Sequence, residues 1–195
     1  MAFGQRVKQR RVSRNTLIAG LLALLVVPAA EAAPPSPPGP KPIVPAHNDP
    51  RLKAPPPMPA DGSASERAKL LVQAVRENKP ERATPFFFPR DAFRKVKAIG
   101  DPDRYFRQLL KLFRDDVLEL RRGLAHPDRV ELVRFKLSRS VRWTPKGKEA
   151  NALPYWDAYG SEVLVRDGGK TRALRVRVMI TWDDEWYVTH LTRMK

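Results

Sequence analysis

The residues best equipped for chemistry are the stretch Tyr155-Trp156-Asp157-Ala158-Tyr159 and the isolated His190. A carboxylate within about 2.6–3.2 Å of an imidazole makes a general acid/base pair, so Asp157 with His190 is the candidate catalytic couple. His190 shares a strand face with Trp186 and Val188, which can point it inward. Nothing in the spacing joins it to Asp157, and the same residues fit a turn aspartate and an ordinary core or surface histidine. Tyr155, Trp156 and Tyr159 are the expected pocket or binding aromatics. Arg175 and Arg177, two positions apart, offer a cationic stripe on an open sheet face or the polar side of an ordinary half-buried strand.

Other chemistries lack their residues. With no cysteine, disulfides, thiolate catalysis and cysteine metal sites are excluded. The three histidines are far apart and form neither HxxxH nor HxH, so no metal site is expected. No glycine-rich nucleotide loop is present, no cofactor is implied, and no nucleophile elbow or specific nucleic-acid motif occurs. Asp115 and Asp116 are adjacent on a helix, point about 100° apart, and are expected to be solvated surface acids.

The chain has 195 residues and a formal net charge of +16. From Asp61 onward there are 29 basic and 19 acidic residues, a net +10, and 19 of the basic groups are arginine. Such a surface attracts polyanions, which makes an anionic envelope component or a protein the expected partner. Diffuse solubilising charge accounts equally for the count.

The elements that must position these residues begin after an address and a tether. Residues 1–32 read as a signal peptide: Arg6, Lys8, Arg10, Arg11 and Arg14, the apolar run Leu17–Val27, then Ala30 and Ala32 before a cleavage point. The expected location is periplasmic or secreted. If the leader is uncleaved, the alternative is an inner-membrane anchor facing the periplasm, the one case in which a membrane is a partner. Residues 33–60 hold twelve prolines and are expected to be a disordered, extended tether, neither helix nor sheet; His47 there is expected to be exposed.

Residues 61–195 form a basic α+β domain. Ser63-Ala64-Ser65-Glu66 reads as a capping box, and Ala68, Leu71, Val72 and Val75 give one apolar helical stripe ended by Asn78-Lys79-Pro80. At least two of Phe86, Phe87 and Phe88 should be buried. A short helix around 91–99 turns Phe93 and Val96 inward. A long helix runs from Pro102, capped by Asp101, to Arg122, with Gly123 as its stop and a stripe through Tyr105/Phe106, Leu109, Leu112/Phe113, Val117 and Leu120. Beyond His126, read as a loop residue, the period becomes two. Strand regions are expected over 130–143, 155–166, a third carrying Leu174, Val176, Val178, Ile180 and Trp182 on one face, and 186–191; Asp167-Gly168-Gly169-Lys170 is a hairpin turn. The fold class is therefore α+β, N-terminal helices packed on a curved antiparallel sheet of about four strands.

Helices followed by a curved antiparallel sheet ending in Asp184-Glu185-Trp186-Tyr187-Val188-Thr189-His190-Leu191 resemble the NTF2-like (SnoaL-like) cone fold over residues 64–193. Phe87-Phe88-Pro89-Arg90, Asp101-Pro102 and the last strand also resemble exported bacterial proteins of unknown function. The cone-fold resemblance implies a pocket between helices and sheet, in a fold that hosts both enzymes and bare binders. Three functions follow: an exported non-catalytic binding module of the bacterial envelope, a small-molecule-binding or enzymatic cone domain, or a structural subunit of an envelope assembly. Catalysis is not required by any motif.

Overall fold

The structure, a computed structural model, describes residues 44–191. The leader and residues 33–43 of the expected tether lie outside the described residues. Among the described residues no helix is long and apolar enough to cross a membrane.

Three α-helices precede a five-stranded antiparallel sheet. Helix α1 (Gly62–Glu77) buries Ala64, Ala68, Leu71, Val72 and Val75 at helical spacing. It ends in a Schellman motif: Asn78 is left-handed at φ 55°, and the Lys79 N–H donates to the Ala74 carbonyl at 3.0 Å. Its start departs from expectation. Asp61 precedes the helix and its side chain makes no capping bond; Ser63 Oγ instead accepts from Arg67, so the capping box is not formed. That turns Arg67 toward the sheet, where it also donates to Glu185 and to the Trp186 carbonyl.

Helix α2 (Arg90–Val96) buries Phe93 and Val96. Helix α3 (Pro102–Arg122) has the expected bounds, and Asp101 accepts from the Arg104 N–H at 2.8 Å. Its buried stripe is Phe106, Leu109, Phe113 and Val117, while Leu112 stays 50% exposed because it lies a third of a turn off that line. Between α1 and α2 a 3-10 helix (Pro80–Phe86) leads into extended backbone at Phe87, and Phe86, Phe87 and Phe88 are all buried. Phe87 stacks against Phe106 and Phe113, and Phe88 packs edge-on to Phe93 and Tyr187.

The strands are β1 (Glu131–Lys136), β2 (Val141–Thr144), β3 (Tyr155–Asp167), β4 (Lys170–Trp182) and β5 (Glu185–His190), in the order β1-β3-β4-β5 with β2 also on β3. The single strand expected over 130–143 is thus two. Lys136 pairs with Glu162 and Val141 with Ala158, while between them β3 bends at Gly160, φ 80°. Ser138 and Ser140 cross that bend through hydrogen bonds to Ser161 Oγ and from the Tyr159 N–H. The β3–β4 hairpin is a two-residue turn with Gly168 at φ 55° and Gly169 at φ 82°, the left-handed pair such a turn requires. Asp167 beside it accepts from the Ala125 and His126 N–H groups. In β4 the alternation slips at a bulge between Val178 and Met179. Met179, Ile180 and Thr181 are consequently all buried, and Thr181 is not on a solvated face as the period predicts.

Residues 44–60 do not lie free of the domain. A 3-10 turn at Ala46–Asn48 sets Asn48, 1% exposed, against the sheet. Its Nδ2 donates to the Pro154 carbonyl at 2.8 Å and its Oδ1 accepts from the Asp183 N–H at 3.2 Å. His47 forms an ion pair with Asp184. The buried indole Nε1 of Trp186 donates to the Pro59 carbonyl at 3.1 Å. Proline keeps α-helix and sheet out of this strap, yet leaves its carbonyls and the Asn48 amide able to dock.

Candidate functional site

A cavity of about 160 Å³ lies between α2, α3 and the sheet, lined among others by Lys97, Tyr105, Glu149, Tyr155, Tyr159 and His190. Phe93, Leu109, Val178 and Ile180 supply its apolar wall. Each polar group arrives for a local reason. Lys97 directly follows α2, four residues beyond Phe93 and so on the same side of the chain; its N–H closes the helix onto the Phe93 carbonyl. Tyr155 and Tyr159 are four apart on β3 and share a face. His190 ends β5 opposite Val178.

The carboxylates are already occupied. Asp157, fully buried, accepts from Arg142 Nη2 at 3.0 Å and from the Thr144 hydroxyl. Its Oδ1 has no hydrogen-bond partner among the described residues. Arg142 also donates to Glu149 and to the Tyr159 hydroxyl, and the Tyr155 hydroxyl donates to Glu149 Oε2 at 3.3 Å. Arg142 is therefore the centre of the network, and Asp157 holds its guanidinium far into the charged state. Burial, with Glu149 nearby, raises the Tyr155 phenol; burial and Asp157 raise Tyr159.

In the cavity lining, which does not include Asp157, Lys97 and His190 are the groups left open. Burial lowers the Lys97 ammonium, with Glu149 opposing, and no hydrogen bond or ion pair holds Nζ among the described residues; it stands 5.9 Å from the Tyr155 ring centre. Burial also lowers the His190 imidazole, and Arg177 and Lys97 lower it further while Asp116 opposes. Its Nδ1 is 3.1 Å from Thr189 Oγ1, and its Nε2 is buried without a partner. The Thr189 hydroxyl donates to the Val178 carbonyl at 3.4 Å, which leaves its oxygen to accept. With the Thr189 proton turned to the Val178 carbonyl, Nδ1 donates to Thr189 Oγ1 and Nε2 keeps an acceptor lone pair; with it turned to Nδ1, the ring proton sits on Nε2.

Asp157 and His190 are not brought together. Strand β4 separates theirs, a gap of about 9–10 Å for two strand spacings, and Asp157 Oδ2 is held by Arg142 and Thr144. The expected acid/base couple is corrected accordingly. Tyr155, Tyr159 and His190 do meet at the cavity. Trp156 lies apart from it, packed edge-on with Trp143 at 5.5 Å. Arg175 and Arg177 are exposed on β4; Arg175 faces Glu162 across the ladder, and Arg177 reaches the site only through its charge. Lys97, Arg142, Thr144 and Glu149 were not expected from the sequence. Lys97 alone carried a signal, a lysine in helical register with the buried Phe93. Comparison with known protein families, curated proteins and solved structures found no match.

Proposed function

We propose that the chain is an exported, non-catalytic binding module whose folded part takes a small polar molecule into the cavity between α2, α3 and the sheet. The observation that carries this reading is the buried His190 Nε2 without a partner, beside the half-buried Lys97 ammonium that no carboxylate pairs among the described residues. A buried polar group without a partner costs about 1–3 kcal/mol, and a ligand that satisfies it recovers that cost. The carboxylates that would serve as bases are bound to Arg142, Thr144 and Tyr155, which favours binding over catalysis. A cavity between the helices and a curved sheet also supports the NTF2-like resemblance. Export rests on the three-part leader, and is tested by the N-terminal residue of the protein recovered from its cell.

The binding reading is tested by thermal unfolding of the full chain with small neutral, cationic and anionic molecules. At least one class raises the midpoint saturably, as mass action requires. Val178→Phe, which fills the cavity, abolishes the rise while the far-ultraviolet circular dichroism remains native. A panel without a single stabilising class contradicts the reading.

A further inference from the structure

From the same cavity, and resting on that binding reading, we infer that the ligand is a small carboxylate that also carries a hydroxyl, a hydroxy acid of about two to four carbons, since a 160 Å³ space holds about five waters' worth of volume.

The open valences define this class. Lys97 offers a cationic donor with no ion-pair partner among the described residues, beside the apolar wall of Phe93, Leu109 and Ile180. An anion is the group such a donor selects. A cationic ligand would turn to Glu149, whose Oε1 already accepts from Arg142 and whose Oε2 accepts from Tyr155. In the tautomer whose Nδ1 donates to Thr189, His190 Nε2 is an acceptor; it then requires a donor on the ligand, and a bare carboxylate has none. The Tyr159 hydroxyl oxygen accepts from Arg142, which leaves its own proton for a second carboxylate oxygen. One ligand with both a carboxylate and a hydroxyl satisfies all three. The charged groups around His190 are Lys97, Arg177 from β4 and Asp116 from α3; the two cations favour the neutral imidazole that this binding mode needs.

The test is calorimetric titration of the full chain with glycolate, acetate and ethylene glycol. Glycolate is expected to bind about ten-fold more tightly than acetate, the worth of one hydrogen bond made in a buried site, and ethylene glycol more weakly than either. Lys97→Met removes binding of both acids. His190→Phe brings glycolate down to the acetate level, and His190→Gln, whose amide oxygen is again an acceptor, restores part of the difference. Equal binding of acetate and glycolate overturns the hydroxyl assignment, and tighter binding of ethylene glycol overturns the carboxylate. If none of the three binds while a neutral or cationic class stabilises the protein, the inference fails and the cavity reading stands. If no class stabilises it, both fail.

Discussion

The side chain of Asn48 bridges two turns far along the chain, accepting from the backbone of Asp183 and donating to that of Pro154. Asp183 and Asp184, at φ 50° and 60°, are both left-handed without being glycine, a conformation that costs L-residues about 1–2 kcal/mol each. The strap supplies a hydrogen bond to the first and an ion pair from His47 to the second. The strap is therefore part of the folded unit, ahead of α1. Asn48→Ala leaves the buried Pro154 carbonyl without a partner and frees the Asp183 N–H on its exposed turn, and is expected to lower unfolding free energy by about 1–3 kcal/mol in urea denaturation. A chain starting at Asp61 is expected to lose at least as much. An unchanged midpoint in both would contradict the docked strap.

The glycines of the β3–β4 hairpin and of the β3 bend are expected to differ in tolerance. A Cβ on Gly168 would come 2.4 Å from His126 Cδ2, while at Gly160 it would meet nothing within 4 Å. Both have positive φ. Gly160→Ala should cost about 1–2 kcal/mol, the left-handed penalty alone. Gly168→Ala should cost more, because His126 must also move. Equal losses in denaturant unfolding would show that His126 yields freely.

Much of this architecture is legible in the sequence because local rules decide it. Asp101-Pro102 starts α3 and the apolar stripe buries Phe106 through Val117. The Gly168-Gly169 pair makes the hairpin whose register sets β3 against β4. What escapes is decided by distant partners. Proline content describes the backbone of residues 44–60 but not where Asn48 docks. The break between β1 and β2 lies opposite a bend in another strand. Asp157 and His190 share favourable chemistry, yet a strand stands between them. Lys97 follows an apolar stripe, but only the packing of α2 and α3 on the sheet encloses it.

Stability is expected to fall in mild acid through His190. Its ordinary value is 6.5 and the fold lowers it, so the folded protein favours the neutral ring. That contribution is fully present above pH 6.5 and is lost as pH falls from 6.5 through the folded-state value. Urea midpoints between about pH 7.5 and about 5.5 should drop more for the native protein than for His190→Gln. A parallel drop in both would assign the loss to other groups.

Lys97 carries the opposite balance between stability and binding. Its value lies below the ordinary 10.5, so its charge opposes folding at neutral pH, and stability from this group rises only as pH climbs toward 10.5. Replacing a half-buried charge that burial disfavours with an apolar side chain of similar length is expected to be neutral or slightly stabilising. Lys97→Met should therefore hold or raise the unfolding midpoint at neutral pH while ligand binding is lost. A clear destabilisation would mean that the ammonium has a structural role.

The cavity claim is tested most directly by nitrogen-15 NMR of the His190 ring and the Lys97 ammonium during a glycolate titration. The free protein should show a protonated Nδ1 and a bare Nε2. Glycolate should move Nε2 and the Lys97 Nζ saturably and together, leaving His47 and His126 unmoved. A free ring with its proton on Nε2, or a titration that leaves both nitrogens in place, would contradict the account.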